Sequence, residues 1–127
     1  MTRWVVDSSV VLKWFLDEPH DREACTLLGR SQAIDAPTLM PIEVANILSK
    51  RVATGIISIE YARESRATLD RMAVTMHDTH RHLDSAFDLA IQFGQSVYDC
   101  VFLALALSVG CQLVTADERF LRGLRSS

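Results

Sequence analysis

Arg3-Trp4-Val5-Val6-Asp7-Ser8-Ser9-Val10-Val11-Leu12-Lys13-Trp14 is the stretch on which the fold turns. Trp4, Val5 and Val6 form an apolar run too short for a helix and suited to a strand buried on both faces. Asp7 closes the run. Ser8 and Ser9 are residues that start helices, and Val10, Val11, Trp14 and Phe15 then recur at helical spacing. A carboxylate therefore stands where a buried strand hands over to a helix. In open parallel α/β sheets the crevice at the carboxyl ends of the strands is where ligands bind. A carboxylate in such a place needs a partner.

Outward from this stretch, short strands alternate with helices. Strands are expected at 33–36, closed by Pro37, at 73–76 and at 112–115. Helices are expected at 21–31, from Ile42 to about Val52 with Gly55 ending it, and from Ser58 to about Met72. Two more are expected at Leu83–Phe93, ended by Gly94, and at 96–109, ended by Gly110; Asp117 opens a last short one. The pattern predicts one α/β domain over residues 1–127, a short parallel sheet flanked by helices on both faces. The segment 42–72 carries no strand and is expected to form a helical hairpin.

Composition agrees. The chain has 127 residues and is 49% hydrophobic, enough for one packed core. No apolar run reaches the ~18 residues a membrane span needs, and no signal peptide pattern opens the sequence, so no membrane partner is expected. Cys25, Cys100 and Cys111 are odd in number and widely spaced, which suits thiols in a reducing cytoplasm better than disulfides or a zinc site. The formal charge of −3 argues against a nucleic-acid binder. That argument weakens when four acids are set aside, for 13 basic residues then face 12 acidic ones.

Those four are Asp7, Glu43, Asp99 and Asp117. Glu43 stands between Ile42 and Val44. Asp99 is the only charge between Gln95 and Ala116, and Asp117 follows the fourth strand as closely as Asp7 follows the first. Each, taken singly, reads as a cap or first-turn acid that complements a helix dipole. Together they read differently. Asp7 and Asp117 end strands that, if parallel, finish at one edge of the sheet, while Glu43 and Asp99 lie in apolar sequence that turns them toward the protein. Four carboxylates in one crevice repel, so either some are protonated or a cation sits between them. All-oxygen coordination suits Mg²⁺ or Mn²⁺, and the chemistry such a site favours is hydrolysis of a phosphodiester. Ser8 and Thr115 stand beside the acids; a hydroxyl there orients a carboxylate or caps a helix. Ser9 reads as a cap.

Val-Val-Asp7-Ser-Ser-Val-Val-Leu-Lys-Trp-Phe, Pro-Ile-Glu43-Val-Ala-Asn, Val-Tyr-Asp99-Cys-Val-Phe-Leu-Ala-Leu-Ala and Leu-Val-Thr115-Ala-Asp117-Glu-Arg-Phe, in that order, closely resemble the PIN-domain family, and within it the VapC toxins of toxin–antitoxin pairs. The resemblance spans the whole chain. By position, Asp7, Glu43, Asp99 and Asp117 match the family's acidic metal site and Thr115 its usual Thr or Ser before the last acid. The resemblance implies a Mg²⁺- or Mn²⁺-dependent endoribonuclease, dimeric and held inactive by a cognate antitoxin, acting on structured cellular RNA. The rivals are a non-catalytic PIN-like module that binds RNA or protein, and a DNA nuclease with the same metal site.

Other signals are weaker. His77, His80 and His82 lack the ligand spacing of a zinc site and read as exposed loop histidines. No glycine pattern marks a nucleotide loop and no nucleophile elbow occurs. Arg119, Arg122 and Arg125 share a helical face near Asp117, as an RNA-backbone contact or an ordinary solvated face. Trp4, Trp14, Phe15, Phe93 and Phe102 read as core, with Trp14, Phe15 and Tyr61 an apolar surplus that suits a homodimer.

Overall fold

Val5 and Val6 are both fully shielded from solvent, so the first strand is covered on its two faces, as its unbroken apolar run requires. This strand, β1 (Arg3–Val6), leads into helix α1 (Ser8–Lys13) in a computed structural model that describes residues 3–16 and 33–125. Then come β2 (Ala33–Pro37), α2 (Leu39–Ala53), α3 (Ile59–Arg71) and β3 (Val74–His77). A single 3₁₀ turn (Thr79–His82) precedes α4 (Leu83–Phe93), α5 (Val97–Val109), β4 (Gln112–Val114) and α6 (Glu118–Arg125). The helix expected at 21–31 lies outside the described residues.

Local chemistry sets the helix ends. Ser58 and Ser96 cap α3 and α5 by accepting the N–H groups of Tyr61 at 3.0 Å and Asp99 at 3.1 Å. Gly94 and Gly110 end α4 and α5 in the left-handed conformation, with φ of 64° and 76°. Helix α2 begins at Leu39, ahead of the Ile42 start expected from sequence. Pro41 sits inside its first turn, where the missing N–H has no intrahelical partner to lose. As expected, α2 and α3 form a packed hairpin with no strand between them.

The sheet order is β3-β2-β1-β4, and every neighbouring pair is parallel. The chain steps from β1 through β2 to β3, then returns past β1 to lay down β4 on its other side. The reversal makes the gap between β1 and β4 the topological switch point. Helix α5 packs against β1 and β2, and α2 packs against α1 and β2. Met40, Val44 and Leu48 of α2 join Phe102, Leu105 and Ala106 of α5 and the valines of β1 and α1 in one core cluster. A second cluster seats Phe120 of α6 among Ala86, Ala90, Cys100, Val101 and Ala104.

Two features depart from the sequence reading. Trp14 and Phe15 pack against the main core, so they are no surplus. Tyr61 is partly exposed but spends its hydroxyl on the Phe15 carbonyl. Among the described residues the most exposed large apolar groups are Ile42 of α2, Ile56 after it, Phe87 and Ile91 of α4, and Tyr98 and Leu107 of α5. His77, expected in a loop, ends β3, and its Nε2 stands 2.8 Å from Oδ1 of Asp35, which also pairs with the Arg3 guanidinium. Asp35 is fully buried in the middle of β2, where a charge is tolerated only when paired.

Candidate active site

Asp7 is the residue that ends β1, and its backbone N–H still bonds to the Val114 carbonyl at 3.1 Å, tying it to β4 across the switch point. Its side chain turns back to cap α1: Oδ1 accepts the N–H groups of Ser9 at 3.0 Å and Val10 at 3.3 Å, and the Ser9 hydroxyl as well. The same hydroxyl oxygen accepts the Ala116 N–H at 3.0 Å. Ser9 thus joins the Asp7 carboxylate to the backbone beside Asp117. Ser9 is expected from sequence to be a cap, but Asp7 is the cap of α1, and the Ser9 bond across 107 residues is a tertiary fact with no local signal.

Asp117 caps α6 by accepting the Phe120 N–H at 3.1 Å, and its own N–H goes to the Thr115 hydroxyl at 3.0 Å. Thr115 also acts on the Asp7 carboxyl, opposing the rise that burial causes. Asp99 lies in the first turn of α5 behind its cap Ser96. Glu43 is different. It is the fifth residue of α2, beyond the first turn, and caps nothing; its Oε1 instead accepts the Ser8 hydroxyl at 2.7 Å. The helix-start reading therefore describes Asp7, Asp99 and Asp117 and fails for Glu43.

All four acids, from four separate elements, line one open pocket of about 230 Å³. Ser8, Ser9 and Asn46 complete its polar wall, and Leu12, Ile47 and Phe102 supply apolar surface. Thr115, bonded by the Asp117 N–H, is not part of this lining. Asn46 was not singled out from sequence; its position one helical turn after Glu43 was the available signal. Burial raises the Asp7 carboxyl above the usual range, against the pull of the bonds from Ser9, Thr115 and Val10. Burial likewise raises Glu43, with the Asp99 and Asp7 charges adding to it and Ser8 opposing. Asp99 is raised by burial first and then by Asp117, with Ser96 opposing.

Among the described residues no three of these groups are gathered closely enough to chelate an ion as they stand. Each carboxylate is tethered to its own helix or hydroxyl, and like charges hold apart. The donor set is nonetheless the right chemistry for a hard divalent cation: carboxylate oxygens only, around a pocket with room for coordinated water.

The PIN domain family model matches residues 4–123. The chain is 30% identical over 117 residues to ribonuclease VapC3 of Pyrobaculum aerophilum, covering 91% of this chain and 89% of that protein. Its fold is similar to that of Mycobacterium tuberculosis VapC20, a sarcin–ricin loop cleaving toxin, with a TM-score of 0.77 at 15% identity over 94% of this chain and 93% of that one. It is also similar to a chain of the VapBC2 complex of Rickettsia felis bound to a promoter DNA fragment, with a TM-score of 0.65 at 14% identity over 95% and 92%.

Proposed function

The chain belongs to the PIN-domain family, and from that premise we propose that it is a divalent-metal-dependent endoribonuclease, the toxin of a VapBC-type toxin–antitoxin pair. One observation carries the catalytic reading: Asp7, Glu43, Asp99 and Asp117 arrive from four elements to line a single pocket at the switch point of a parallel sheet. A non-catalytic module has no use for four carboxylates gathered on one pocket, where burial raises Asp7, Glu43 and Asp99 above the usual carboxylate range.

In this reading Asp7, Glu43, Asp99 and Asp117 hold Mg²⁺ or Mn²⁺, which when bound activates water and offsets charge on the phosphoryl oxygen. Ser8 orients Glu43. Ser9 orients Asp7 and ties it to the backbone beside Asp117, whose N–H is held by Thr115. The exposed arginines of α6, Arg119, Arg122 and Arg125, lie on the far side of that helix from buried Phe120 and offer the RNA backbone a cationic track beside the acids. Nucleic-acid backbones are held in this sequence-neutral way.

The partner of the reading is a cognate antitoxin, as in the VapBC2 complex of Rickettsia felis and a toxin–antitoxin complex of Klebsiella pneumoniae, each of which contains a chain of similar fold. The exposed Phe87, Ile91 and Leu107 offer apolar area for a second copy of the chain. The place of action is the cytoplasm, where RNA and reduced Cys100 and Cys111 coexist. Among the described residues no single helix is long and apolar enough to cross a membrane.

The deciding experiment incubates the purified chain with a labelled structured RNA and a DNA of the same sequence, in Mg²⁺, in Mn²⁺ and in excess EDTA. RNA cut in either metal and left whole in EDTA is the expected result. Full cleavage of RNA in EDTA, with metal verifiably absent, would falsify the metal reading. Equal cleavage of the DNA would change the substrate class, and binding without cleavage would favour the interaction module.

A second expectation concerns α6. Arg119→Ala with Arg122→Ala should weaken RNA binding and flatten its salt dependence by about 0.7–0.9 log units per lost phosphate contact, with Mn²⁺ affinity unchanged. An unchanged slope in a filter-binding titration would return these arginines to the solvated face.

A further inference from the structure

Helix α2 delivers Glu43, yet its N-terminus is capped from elsewhere in the chain. Thr38, the residue in the cap position, has helical backbone angles (φ −60°, ψ −17°), and its side chain makes no cap bond. The cap comes instead from Thr79, whose Oγ1 accepts the Leu39 N–H at 2.8 Å. The two threonine hydroxyls lie 2.9 Å apart, and the Thr79 N–H donates to Thr38 Oγ1 at 3.1 Å. Alongside, the Thr38 N–H donates to the His77 carbonyl at 2.8 Å, and the His77 ring is held by buried Asp35. The corner after β3 and the corner after β2 are thus clamped reciprocally, four residues before Glu43.

We propose that Thr79 is a positioning residue for the candidate metal site: the Thr38–Thr79 clamp fixes the start of α2 and thereby where Glu43 meets Ser8 and the pocket. The inference rests on the proposed role of Glu43 as a ligand. The physical case is one of geometry. Glu43 makes a side-chain bond to Ser8 only at its tip, so the direction of its stem is set by the helix. Met40, Val44 and Leu48 pin one side of α2 into the core, but apolar packing leaves small rotations and slides soft. The directional bond at Leu39 removes that freedom at the end of the helix nearest Glu43. A ligand displaced by a fraction of an ångström costs metal affinity, and groups that orient ligands are worth about 10–100-fold. Thr79, acting through a helix end, is expected to be worth less, about threefold to tenfold.

The test compares Thr79→Val, which keeps the shape and loses the hydroxyl, with Thr79→Ser, which keeps the hydroxyl. Mn²⁺ affinity is read by electron paramagnetic resonance without RNA, and kcat and KM on a short RNA in Mn²⁺. Thr79→Val should weaken Mn²⁺ binding about threefold to tenfold and lower kcat with KM little changed, and Thr79→Ser should restore both. Thr38→Val, at an exposed position, removes the other half of the clamp and should move Mn²⁺ affinity in the same direction. A lower unfolding midpoint with Mn²⁺ affinity and kcat of the wild type would overturn the proposal and leave Thr79 a structural cap. The same changes are then made on Glu43→Gln. If Thr79 acts through Glu43, adding Thr79→Val causes no further loss of Mn²⁺ affinity; additive losses overturn the proposal. Wild-type Mn²⁺ affinity in Glu43→Gln alone is a separate result: it removes Glu43 from the metal site and takes down the reading on which this inference stands.

Discussion

Asp99→Asn is expected to abolish most RNA cleavage while making the metal-free protein slightly more stable. The substitution keeps the shape of the side chain, its place in the first turn of α5 and an oxygen for the Ser96 hydroxyl. It removes a charge that burial and Asp117 both disfavour. Because Asp99 is partly open to water, relief of repulsion is worth at most about 1 kcal/mol, and loss of a favourable helix-dipole contact takes back roughly 0.3–1 kcal/mol. The net gain is small. Its pH dependence has a definite sign. A carboxyl whose folded pKa is raised contributes stability below its unfolded pKa and loses that contribution as pH rises through the folded value. Asp7, Glu43 and Asp99 all shift this way, so the metal-free wild type should lose stability as pH climbs from the ordinary carboxylate range through their raised values. The advantage of Asp99→Asn should grow over the same window.

Divalent metal should reverse the order. The wild type gains linkage stabilisation in proportion to its affinity, and the variant, short of one donor, gains little. Cleavage should fall by roughly 10²-fold or more, the scale on which loss of one charge-stabilising group at a reacting centre is felt. Urea unfolding of both proteins, in EDTA and in saturating Mn²⁺ across pH 4–8, is the measurement. A variant less stable than wild type in EDTA, with equal metal-induced gains in both, would make Asp99 a helix-start acid and no ligand.

Phe120→Ala carries the largest expected effect on stability. Phe120 is the buried residue of α6, a helix of eight residues and too short to persist without docking. It fills the second core cluster between α4 and α5. Truncating a buried phenylalanine costs about 3–5 kcal/mol. Here the loss should reach the chemistry too, because Asp117 caps α6 and the exposed arginines ride on it. The expected result is an unfolding free energy in urea lowered by that amount, weakened Mn²⁺ binding, and recovery of most of both in Phe120→Leu. A stability within about 1 kcal/mol of wild type would show that α6 is held by other contacts.

Much of this was legible in the order of residues. The unbroken apolar run before Asp7 could only be a buried strand, and glycines at 94 and 110 marked helix ends that the left-handed backbone there requires. The four acids stood out because charge in apolar sequence is rare without cause. What local sequence could not carry is the strand order. Nothing in β4 says that it returns past β2 to lie beside β1, yet that reversal alone brings Asp117 to Asp7 and opens the crevice between them. The partner relations were equally hidden: Ser9 reaching Ala116, Thr79 capping α2, and Asp35 buried between Arg3 and His77. Hydrogen bonds between residues tens of positions apart leave no periodicity, so His77 read as a loop histidine and Ser9 as a simple cap. Residue types and their spacing determined which elements form and which acids stand out. The tertiary path decided which of them meet, because the directional bonds that complete the site form only after the sheet has chosen its order.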